Sequence, residues 1–346
     1  MSDNIRVGLI GYGYASKTFH APLIAGTPGM MLAAVSSSDA TKVHADWPSV
    51  PVVSEPKHLF NDPNIDLIVI PTPNDTHFPL AKAALEAGKH VIVDKPFTVT
   101  LSQARELDAL AKGLGRLLSV FHNRRWDSDF LTVKTLLSEG TLGEILFFES
   151  HFDRFRPQVR HRWREQAGPG SGIWYDLAPH LLDQAVNLFG LPVSMTVDLA
   201  QLRPGAQTTD YFHAVLSYPQ RRIVLHGTMV AAAESARYII HGTRGSYVKF
   251  GLDPQEDRLK NGERLPQEDW GYDMRDGVVT RVEGEELVEE TLLTMPGNYP
   301  AYYAAIRNAL NGTGENPVPA SQAIQIMELI ELGIESAKHR ATLCLA

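Results

Sequence analysis

The segment VGLIGYGYAS near the N-terminus constrains the fold of this chain more than any other. Residues 5–10 are mostly apolar and rich in β-branched side chains, which predicts a buried strand. Gly11, Gly13 and Ser16 follow in a G-x-G-x-x-small spacing, with a helical stretch behind them. In such a turn the glycines let the backbone approach a pyrophosphate, and the helix N-terminus offers free N–H groups. A glycine turn without a ligand is the alternative. The predicted dinucleotide contacts at this turn are Gly11, Tyr12, Gly13, Tyr14, Ala15 and Ser16.

Composition and charge argue against several classes of protein. The 346 residues are enough for two domains, and 44% apolar with 21% charged residues is ordinary for a globular protein. The net charge of −8 argues against a nucleic-acid or anionic membrane surface. The single cysteine, Cys344, allows no intrachain disulfide and no cysteine-based zinc site. No signal peptide or membrane-length apolar run is visible, so we expect a cytoplasmic protein that binds neither nucleic acid nor membrane.

Strand and helix signals alternate over residues 1–122. After the strand at 5–10, further strand signals lie at 32–36, 50–54, 65–70, 90–96 and 117–122. Helical signals lie between them, at 77–88 and after Ser102, which is a candidate N-cap. This alternation predicts an α/β Rossmann domain with a doubly wound parallel sheet. Its ligand crevice is expected at the carboxyl ends of the strands.

The pattern changes after residue 122. Longer segments with partial alternation predict an α+β domain with an open, mostly antiparallel sheet. We therefore divide the chain into a dinucleotide-binding domain, 1–122, and a substrate-binding and oligomerisation domain, 123–346. Residues 251–271 are polar and rich in turn formers, which predicts a surface excursion. The final helix carries an apolar stripe from Ala323 to Ala337 and is expected to pack back on the first domain.

Lys95 stands at a position where a catalytic group is expected. It directly follows the strand HVIVD in the motif DKP, so it should lie at the carboxyl edge of the sheet. An ammonium there can hold or protonate a reacting oxygen. A lysine that leaves a strand and points to water is the alternative, and the commoner one for a lysine alone.

A second polar group lies in the predicted helix 174–190. Asp176, His180, Asp183 and Asn187 follow spacings of four, three and four, so they share one stripe. An imidazole beside a carboxylate suits acid–base catalysis. A solvated polar face is the alternative. A metal shared by Asp176 and His180 is a weaker one because no third ligand is evident, and we predict no metal.

Taken together, these motifs resemble the glucose–fructose oxidoreductase/inositol dehydrogenase (Gfo/Idh/MocA) family. The resemblance spans nearly the whole chain and rests on GLIGYGYAS, PTPNDTHFPLAKAALEAGKHVIVDKPF and GIWYDLAPHLLDQAVNLFG, in this order. It implies oxidation or reduction of sugars, inositols and related polyols with NAD or NADP. Many members form dimers or tetramers through the open sheet, so we expect a homodimer or homotetramer. The resemblance is closest to the NADP-using, inositol dehydrogenase-like branch.

The resemblance also implies residue roles. The family's catalytic Lys of E-K-P, with the Asp and His of D-x-G-x-H, fall on Lys95, Asp176 and His180. Asp94 replaces the usual glutamate and Ala178 the usual glycine. Further cofactor contacts implied by the resemblance are Thr72, Pro73, Asn74, His77, Asp94, Lys95 and Arg125.

The end of the second predicted strand bears on the choice of cofactor. NAD sites usually place an acidic residue there, on the ribose 2′-OH. This chain has Ser36, Ser37 and Ser38 instead, with Lys42 nearby, which favours a 2′-phosphate. We therefore predict NADP over NAD, although Asp39 just beyond the serines can still serve NAD.

The expected activity is hydride transfer between a nicotinamide and a secondary alcohol, with scyllo-inositol or an aldose as the first expected substrate. His180 would act as the acid–base, Lys95 would stabilise charge on the substrate oxygen, and Asp176 would orient the substrate or His180. Two other functions stay open: reduction of another small carbonyl compound, and dinucleotide sensing without turnover. The polar and aromatic residues expected around the substrate are His151, Asp153, Arg156, His161, Arg162, Trp163 and Tyr175.

Overall fold

The computed structural model describes residues 4–345, which form two compact units. The first unit comprises the chain up to Trp126, Pro254–Trp270 and Asn298–Ile324. The second comprises Asp127–Asp253, Gly271–Gly297 and the chain from Gln325 onward. Two segments from the later half of the sequence therefore belong to the first unit. The predicted division at 122/123 falls close to Trp126, where the first continuous stretch ends.

The helices of both units are short, apart from the last. A π-helical turn, Ser16–His20, precedes the first of them. Among residues 4–345 we find no helix with both the length and the apolar character that crossing a bilayer requires. The helices are α1 (Ala21–Ala25), α2 (Ala40–Asp46), α3 (Pro56–Asn61), α4 (Asn74–Glu86), α5 (Leu101–Gly113), α6 (Ser128–Ser138), α7 (Ile173–Asp176), α8 (Ala178–Phe189), α9 (Gln255–Lys260), α10 (Pro300–Leu310) and α11 (Ala320–His339).

The first unit is built on a six-stranded parallel sheet. Its strands are β1 (Ile5–Ile10), β2 (Met30–Ser36), β3 (Val52–Val53), β4 (Leu67–Ile70), β5 (His90–Asp94) and β6 (Leu118–Phe121). They lie in the order β3-β2-β1-β4-β5-β6, so the direction of winding reverses between β1 and β4. Val7 and Leu9 are fully buried, as a central strand covered on both faces requires. The predicted doubly wound fold is confirmed, and its ligand crevice belongs at this reversal.

One local prediction for the first unit is wrong, and another holds only in part. The N-cap of α5 is Thr100, whose side chain accepts the N–H of Gln103; Ser102 lies inside the helix. Residues 251–271 are a surface excursion only in part: 260–269 are exposed or half-buried, whereas Gln255 of α9 and Trp270 are buried. The Trp270 indole N–H donates to the Gln255 side chain at 2.7 Å, so the polar Gln255 satisfies a buried donor.

The second unit is built on a nine-stranded mixed sheet, in which β7 and β10 are parallel and every other described pair is antiparallel. Its order is β14-β13-β12-β11-β7-β10-β9-β8-β15. Apolar side chains from α6, α8 and α11 share one core with the sheet. The predicted open, mostly antiparallel sheet is confirmed. The strands are β7 (Ile145–His151), β8 (Ser194–Ala200), β9 (Tyr211–Ser217), β10 (Arg222–Thr228), β11 (Ala236–Gly242), β12 (Gly245–Phe250), β13 (Gly277–Glu283), β14 (Glu286–Leu292) and β15 (Leu343–Cys344).

The last helix, α11, contributes to both units. Its first residues, up to Ile324, belong to the first unit, and from Gln325 onward it belongs to the second. In the second unit the Trp174 indole N–H donates to the carbonyl of Ile330 at 3.1 Å. A side chain at Gly333 would overlap the same indole ring. In the second unit α11 is thus anchored by Trp174 at Ile330 and Gly333. The expectation that the helix packs back on the first domain stays a prediction.

Candidate functional site

A cleft of about 450 Å³ opens at the carboxyl ends of β1, β2 and β4 in the first unit. It lies where the strand order reverses, as the doubly wound fold predicts. Nine of the predicted cofactor residues line it; sequence reasoning missed Ser54, Pro56, Thr76 and Leu80, which no motif marks. The lining residues are Ile10, Gly11, Tyr12, Gly13, Ser36, Ser37, Ser38, Asp39, Lys42, Ser54, Pro56, Thr72, Pro73, Thr76 and Leu80.

The backbone of the glycine turn is accessible from the cleft at Gly11 and Gly13, which carry no side chain. Gly11 has φ +78°, a conformation that favours glycine, and its N–H donates to the carbonyl of Ser36 at 2.7 Å. A Cβ on Gly11 would meet the Thr72 side chain at 3.4 Å, and a Cβ on Gly13 would meet nothing within 4 Å. Ser16 is fully buried, so the third position of the motif must be small. A turn of this shape fits the pyrophosphate of a dinucleotide.

Tyr14 is held away from the cleft lining by ionic and hydrogen-bonding contacts with α9. Its hydroxyl donates to Glu256 of α9 at 2.6 Å, and Arg124 donates to the other oxygen of that carboxylate at 2.7 Å. Burial acts to raise the pKa of Glu256, but Arg124, the Tyr14 hydroxyl and Lys260 together lower it to about 2. Neither Tyr14 nor its neighbours Ala15 and Ser16 line the cleft. The turn is therefore tied to α9, a segment that we predicted to be a surface excursion.

The end of β2 presents hydroxyls and an ammonium to the cleft. Ser37 Oγ accepts the N–H of Asp39 at 3.1 Å. The Asp39 carboxylate in turn accepts the N–H of Lys42 at 3.3 Å and lies 3.5 Å from its Nζ. Asp39, the one acidic residue among those that line the cleft, is thus already occupied by α2 and by Lys42.

His77 hydrogen bonds to the loop that follows β4 and holds it in place. Its Nε2 lies 2.9 Å from the carbonyl oxygen of Thr72, and its Nδ1 lies 2.9 Å from that of Pro96. Burial lowers the pKa of His77, with the Asp94 charge and both carbonyls acting in the opposite direction. His77 supports this loop, but neither it nor the buried Asn74 lines the cleft, and their predicted contacts with the cofactor stay predictions.

Lys95 leaves β5 at the same edge of the sheet and is partly exposed. Its backbone N–H donates to Oδ1 of Asp94 at 2.7 Å. The other oxygen of Asp94 lies 3.7 Å from Nε2 of the buried His20, whose Nδ1 lies 2.6 Å from the Tyr303 hydroxyl. Burial raises the pKa of Asp94, but His20, Lys95 and His77 outweigh it and lower the pKa below its usual value. The Lys95–Pro96 bond is cis.

Arg125 is engaged elsewhere in the first unit. One of its guanidinium nitrogens lies 2.7 Å from the side-chain oxygen of Gln322 and 3.3 Å from the carbonyl of Pro317. It does not line the cleft. The predicted role of Arg125 in cofactor binding stays a prediction.

The predicted helix 174–190 is two helices. Leu177 separates α7 from α8 because Pro179, in the first turn of α8, has no N–H to continue the ladder. Asp176 therefore ends α7, while His180 lies in the first turn of α8. Asp183 and His180 are buried, so their stripe is not a solvated face.

Two arginines that sequence reasoning missed lie beside Asp176. Its carboxylate is 3.5 Å from Arg164 Nε and 4.0 Å from Arg154 Nη1. The ring of His180 stacks on Phe152, with centroids 6.4 Å apart. Two guanidinium groups beside a carboxylate and an imidazole can hold a polar substrate or a negative charge.

His151 and Asp153 lie on the other side of the sheet from these groups. Side chains of an extended chain alternate, so Phe152 and Arg154 face α7 and α8 while His151 and Asp153 face the open side. His151 and Asp153 therefore lie on the face of the sheet opposite Asp176, and their predicted place around the substrate stays a prediction. His226, which sequence reasoning did not single out, lies with them.

The fold and the cleft define the class: a two-unit α/β protein whose first unit is a Rossmann-type dinucleotide-binding unit. The family description "Oxidoreductase family, NAD-binding Rossmann fold" matches residues 5–122, and "Oxidoreductase family, C-terminal alpha/beta domain" matches residues 134–345. The chain belongs to this GFO/IDH/MocA family and is an NAD(P)-binding oxidoreductase, as the motifs predicted.

Relatives cover the chain end to end. The uncharacterised oxidoreductase YdgJ of Escherichia coli K12 is 89% identical over 346 residues, which cover both chains completely. The scyllo-inositol 2-dehydrogenase (NADP(+)) IolW of Bacillus subtilis is 38% identical over 99% of this chain and 96% of its own. The solved structure of YPO2259 from Yersinia pestis is 70% identical, with a TM-score of 0.97 over 100% of this chain and 98% of that one.

Proposed function

We propose that this oxidoreductase is an NADP-dependent dehydrogenase of a sugar or polyol, with an inositol as the first candidate substrate. The observation that carries the proposal is Lys95, which leaves β5 partly exposed at the sheet edge that also forms the dinucleotide cleft. A lysine there is positioned for a reacting oxygen near a nicotinamide. The similarity to IolW supports the substrate class.

The preference for NADP is supported by the end of β2. Ser37, Ser38 and Lys42 line the cleft there, and the one carboxylate among the lining residues, that of Asp39, is paired with Lys42. Hydroxyls and an ammonium suit a 2′-phosphate, whereas NAD sites usually offer a carboxylate to the 2′-hydroxyl. The turn at Gly11 would hold the pyrophosphate, and Thr72 and Pro73 would lie toward the nicotinamide end.

Three side chains carry the chemistry in this proposal. When bound, the nicotinamide ring supplies the site that accepts or donates the hydride. His180 takes the proton of the substrate hydroxyl, or returns it in the reverse direction. Lys95 donates a hydrogen bond to the same oxygen and stabilises the negative charge that develops on it. Asp176, held by Arg154 and Arg164, orients the substrate.

The test is steady-state kinetics on purified protein, with NADP⁺ and NAD⁺, against a panel of inositols and aldoses. Lys95→Ala and His180→Ala should each lower kcat by about 10²–10⁴-fold. Dinucleotide binding, followed by NADPH fluorescence, should stay near wild type. Lys82→Ala is a matched control, because that lysine pairs with Glu106 at 2.7 Å and does not line the cleft.

A different result would refute each part of the proposal. Near-normal turnover in both variants would refute the catalytic assignment, and a large advantage for NAD⁺ would refute the cofactor preference. NADPH binding without turnover of any alcohol or carbonyl compound would favour a sensor. The proposal also includes a cytoplasmic location and assembly into a homodimer or homotetramer. Light scattering on the purified protein measures its molar mass and so tests the assembly.

A further inference from the structure

Three side chains with metal-ligating atoms meet on the open face of the second unit's sheet. β7 and β10 are parallel neighbours, and their register places His151 beside His226. Nδ1 of His151 lies 3.1 Å from Oδ2 of Asp153, and Nε2 of His226 lies 3.6 Å from Oδ1 of the same carboxylate. The three ligand atoms all lie within 4.8 Å of one another. Bonds of about 2.0–2.2 Å in a tetrahedral site put ligand atoms roughly 3.3–3.6 Å apart. The two nitrogen–oxygen distances, each to a different oxygen of Asp153, are close to this range.

Glu149 supplies the outer partner that a ligating histidine usually has. Its Oε1 lies 2.7 Å from Nε2 of His151, on the side of the ring away from Asp153. When Nε2–H donates to this carboxylate, the lone pair of the neutral ring is on Nδ1 and is directed toward the cluster. Metal-bound histidines almost always donate their second ring N–H to a carboxylate, a carbonyl or water, which fixes both tautomer and orientation.

The cluster is sheltered from water on the side of the sheet. The side chains of His151, Asp153 and His226 are 18%, 9% and 16% exposed. Within the part of the chain that the structure describes, Oδ1 of Asp153 is buried and accepts no well-formed hydrogen bond. A buried carboxylate oxygen without a donor is costly, and a bound cation would remove that cost.

Two neighbouring aromatic rings lie beside the cluster. The rings of Tyr211 and His213 lie 5.2 and 5.6 Å from that of His226, centroid to centroid. His213 does not belong to the group whose ligand atoms are close enough to share one ion. Three protein ligands leave a further coordination position open, for water or for an external ligand.

We propose that His151, Asp153 and His226 bind a divalent transition-metal ion of the zinc type, with Glu149 orienting His151. Two imidazoles and one carboxylate suit Zn²⁺ and Co²⁺ better than Mg²⁺ or Ca²⁺, which prefer oxygen ligands alone. The ion would cross-link β7 to β10 within the second unit. This site is additional to the dinucleotide cleft, whose lining belongs to the first unit, and its existence does not depend on the proposed dehydrogenase activity.

The test is metal titration of the full chain after tag removal and treatment with a chelator. Isothermal titration with Zn²⁺ should give one ion per chain, and Zn²⁺ in excess should raise Tm, since a ligand that binds only the folded state stabilises it. His226→Gln and Asp153→Asn should each weaken Zn²⁺ binding at least tenfold. Glu149→Gln should weaken it by about tenfold through the orientation of His151.

His213→Gln is the matched control, because this histidine is opposite His226 on β9 but outside the ligand group. It should leave Zn²⁺ affinity unchanged. Absence of stoichiometric Zn²⁺ binding, or an equal loss in His213→Gln and His226→Gln, would overturn the proposal. Far-UV circular dichroism shows whether each ligand variant folds. If one does not, X-ray absorption spectroscopy of the Zn²⁺-loaded wild type identifies the ligands instead. Two imidazole ligands are expected, and none would refute the site.

Discussion

Arg237 is the position where one substitution should most clearly destabilise the second unit. The side chain is 2% exposed, and its guanidinium is hydrogen bonded in three directions. It donates to Asp129 of α6 at 2.9 Å, to Ser150 Oγ and the His151 carbonyl of β7 at 2.8 and 3.0 Å, and to Gln184 of α8 at 3.0 Å. One residue of β11 therefore holds together a strand of the proposed metal site and the helix that carries His180.

Arg237→Met keeps the length of the side chain and removes its charge. The Asp129 carboxylate, which is fully buried, then loses its cation. Breaking a buried ion pair from one side costs about 3–5 kcal/mol, because the remaining charge stays in the interior. Since 1.4 kcal/mol corresponds to a factor of ten, the unfolding equilibrium should shift by roughly 100- to 4,000-fold.

Urea denaturation at pH 7, followed by far-UV circular dichroism, measures this free energy. The double variant Asp129→Leu/Arg237→Met removes both charges and should recover most of the loss. Arg222→Met is the control: Arg222 lies on β10, two strands from β11 in the same sheet, and its side chain is exposed. This substitution should change stability by less than about 0.5 kcal/mol. A loss below about 1 kcal/mol in Arg237→Met would refute the reasoning, as would a double variant less stable than the single one.

Three further predictions concern the cofactor cleft and its supports. Lys42→Ala should raise KM for NADP⁺ about tenfold and leave KM for NAD⁺ unchanged, because an exposed lysine facing a phosphate contributes about 1–2 kcal/mol; kinetics with both cofactors measure it. Glu256 has a folded pKa of about 2 against 4.5 ordinarily, so its stabilisation is full above pH 4.5 and disappears toward pH 2. The stability deficit of Glu256→Gln in urea should follow that course, and a deficit that grows on acidification would contradict it. Gly333→Ala should lower stability by about 1–3 kcal/mol, because the methyl group overlaps the Trp174 ring; an unchanged Tm would contradict this.

The architecture of the first unit is largely predictable from its sequence. β1 begins and ends where predicted, because the apolar run and the glycine turn set both limits. Predicted cofactor residues that directly follow β1, β2 and β4, such as Gly11, Ser37 and Thr72, line the cleft for the same reason, whereas Asp94 and Lys95 at the end of β5 do not. His77 and Arg125 do not, since a motif indicates which residues lie near a site and not which way their side chains point. The assignments of Lys95, Asp176 and His180 to catalysis stay predictions.

The second unit shows what local patterns leave undetermined. β7 lies between β10 and β11, strands that come some 70 residues later in the chain. A pairing over that distance leaves no turn motif in the sequence from which it could be predicted. His151 and His226 meet only because of it, so no metal-ligand spacing exists in the sequence. The break at Leu177 was readable from Pro179, whereas the burial of Asp183 depends on the packing around α8.

The discontinuity of the first unit has a consequence for its synthesis. Its interior contains Tyr303, against His20, and Tyr302, against Phe121, and both come from α10. The stretch from Trp126 to the end of this unit at Ile324 is about 200 residues. At translation rates of about 5–20 residues per second, roughly 10–40 s separate the emergence of the parallel sheet from that of its last core residues. During that interval the nascent sheet exposes apolar surface, so the ribosome-bound chain is the form of this protein most in need of a chaperone.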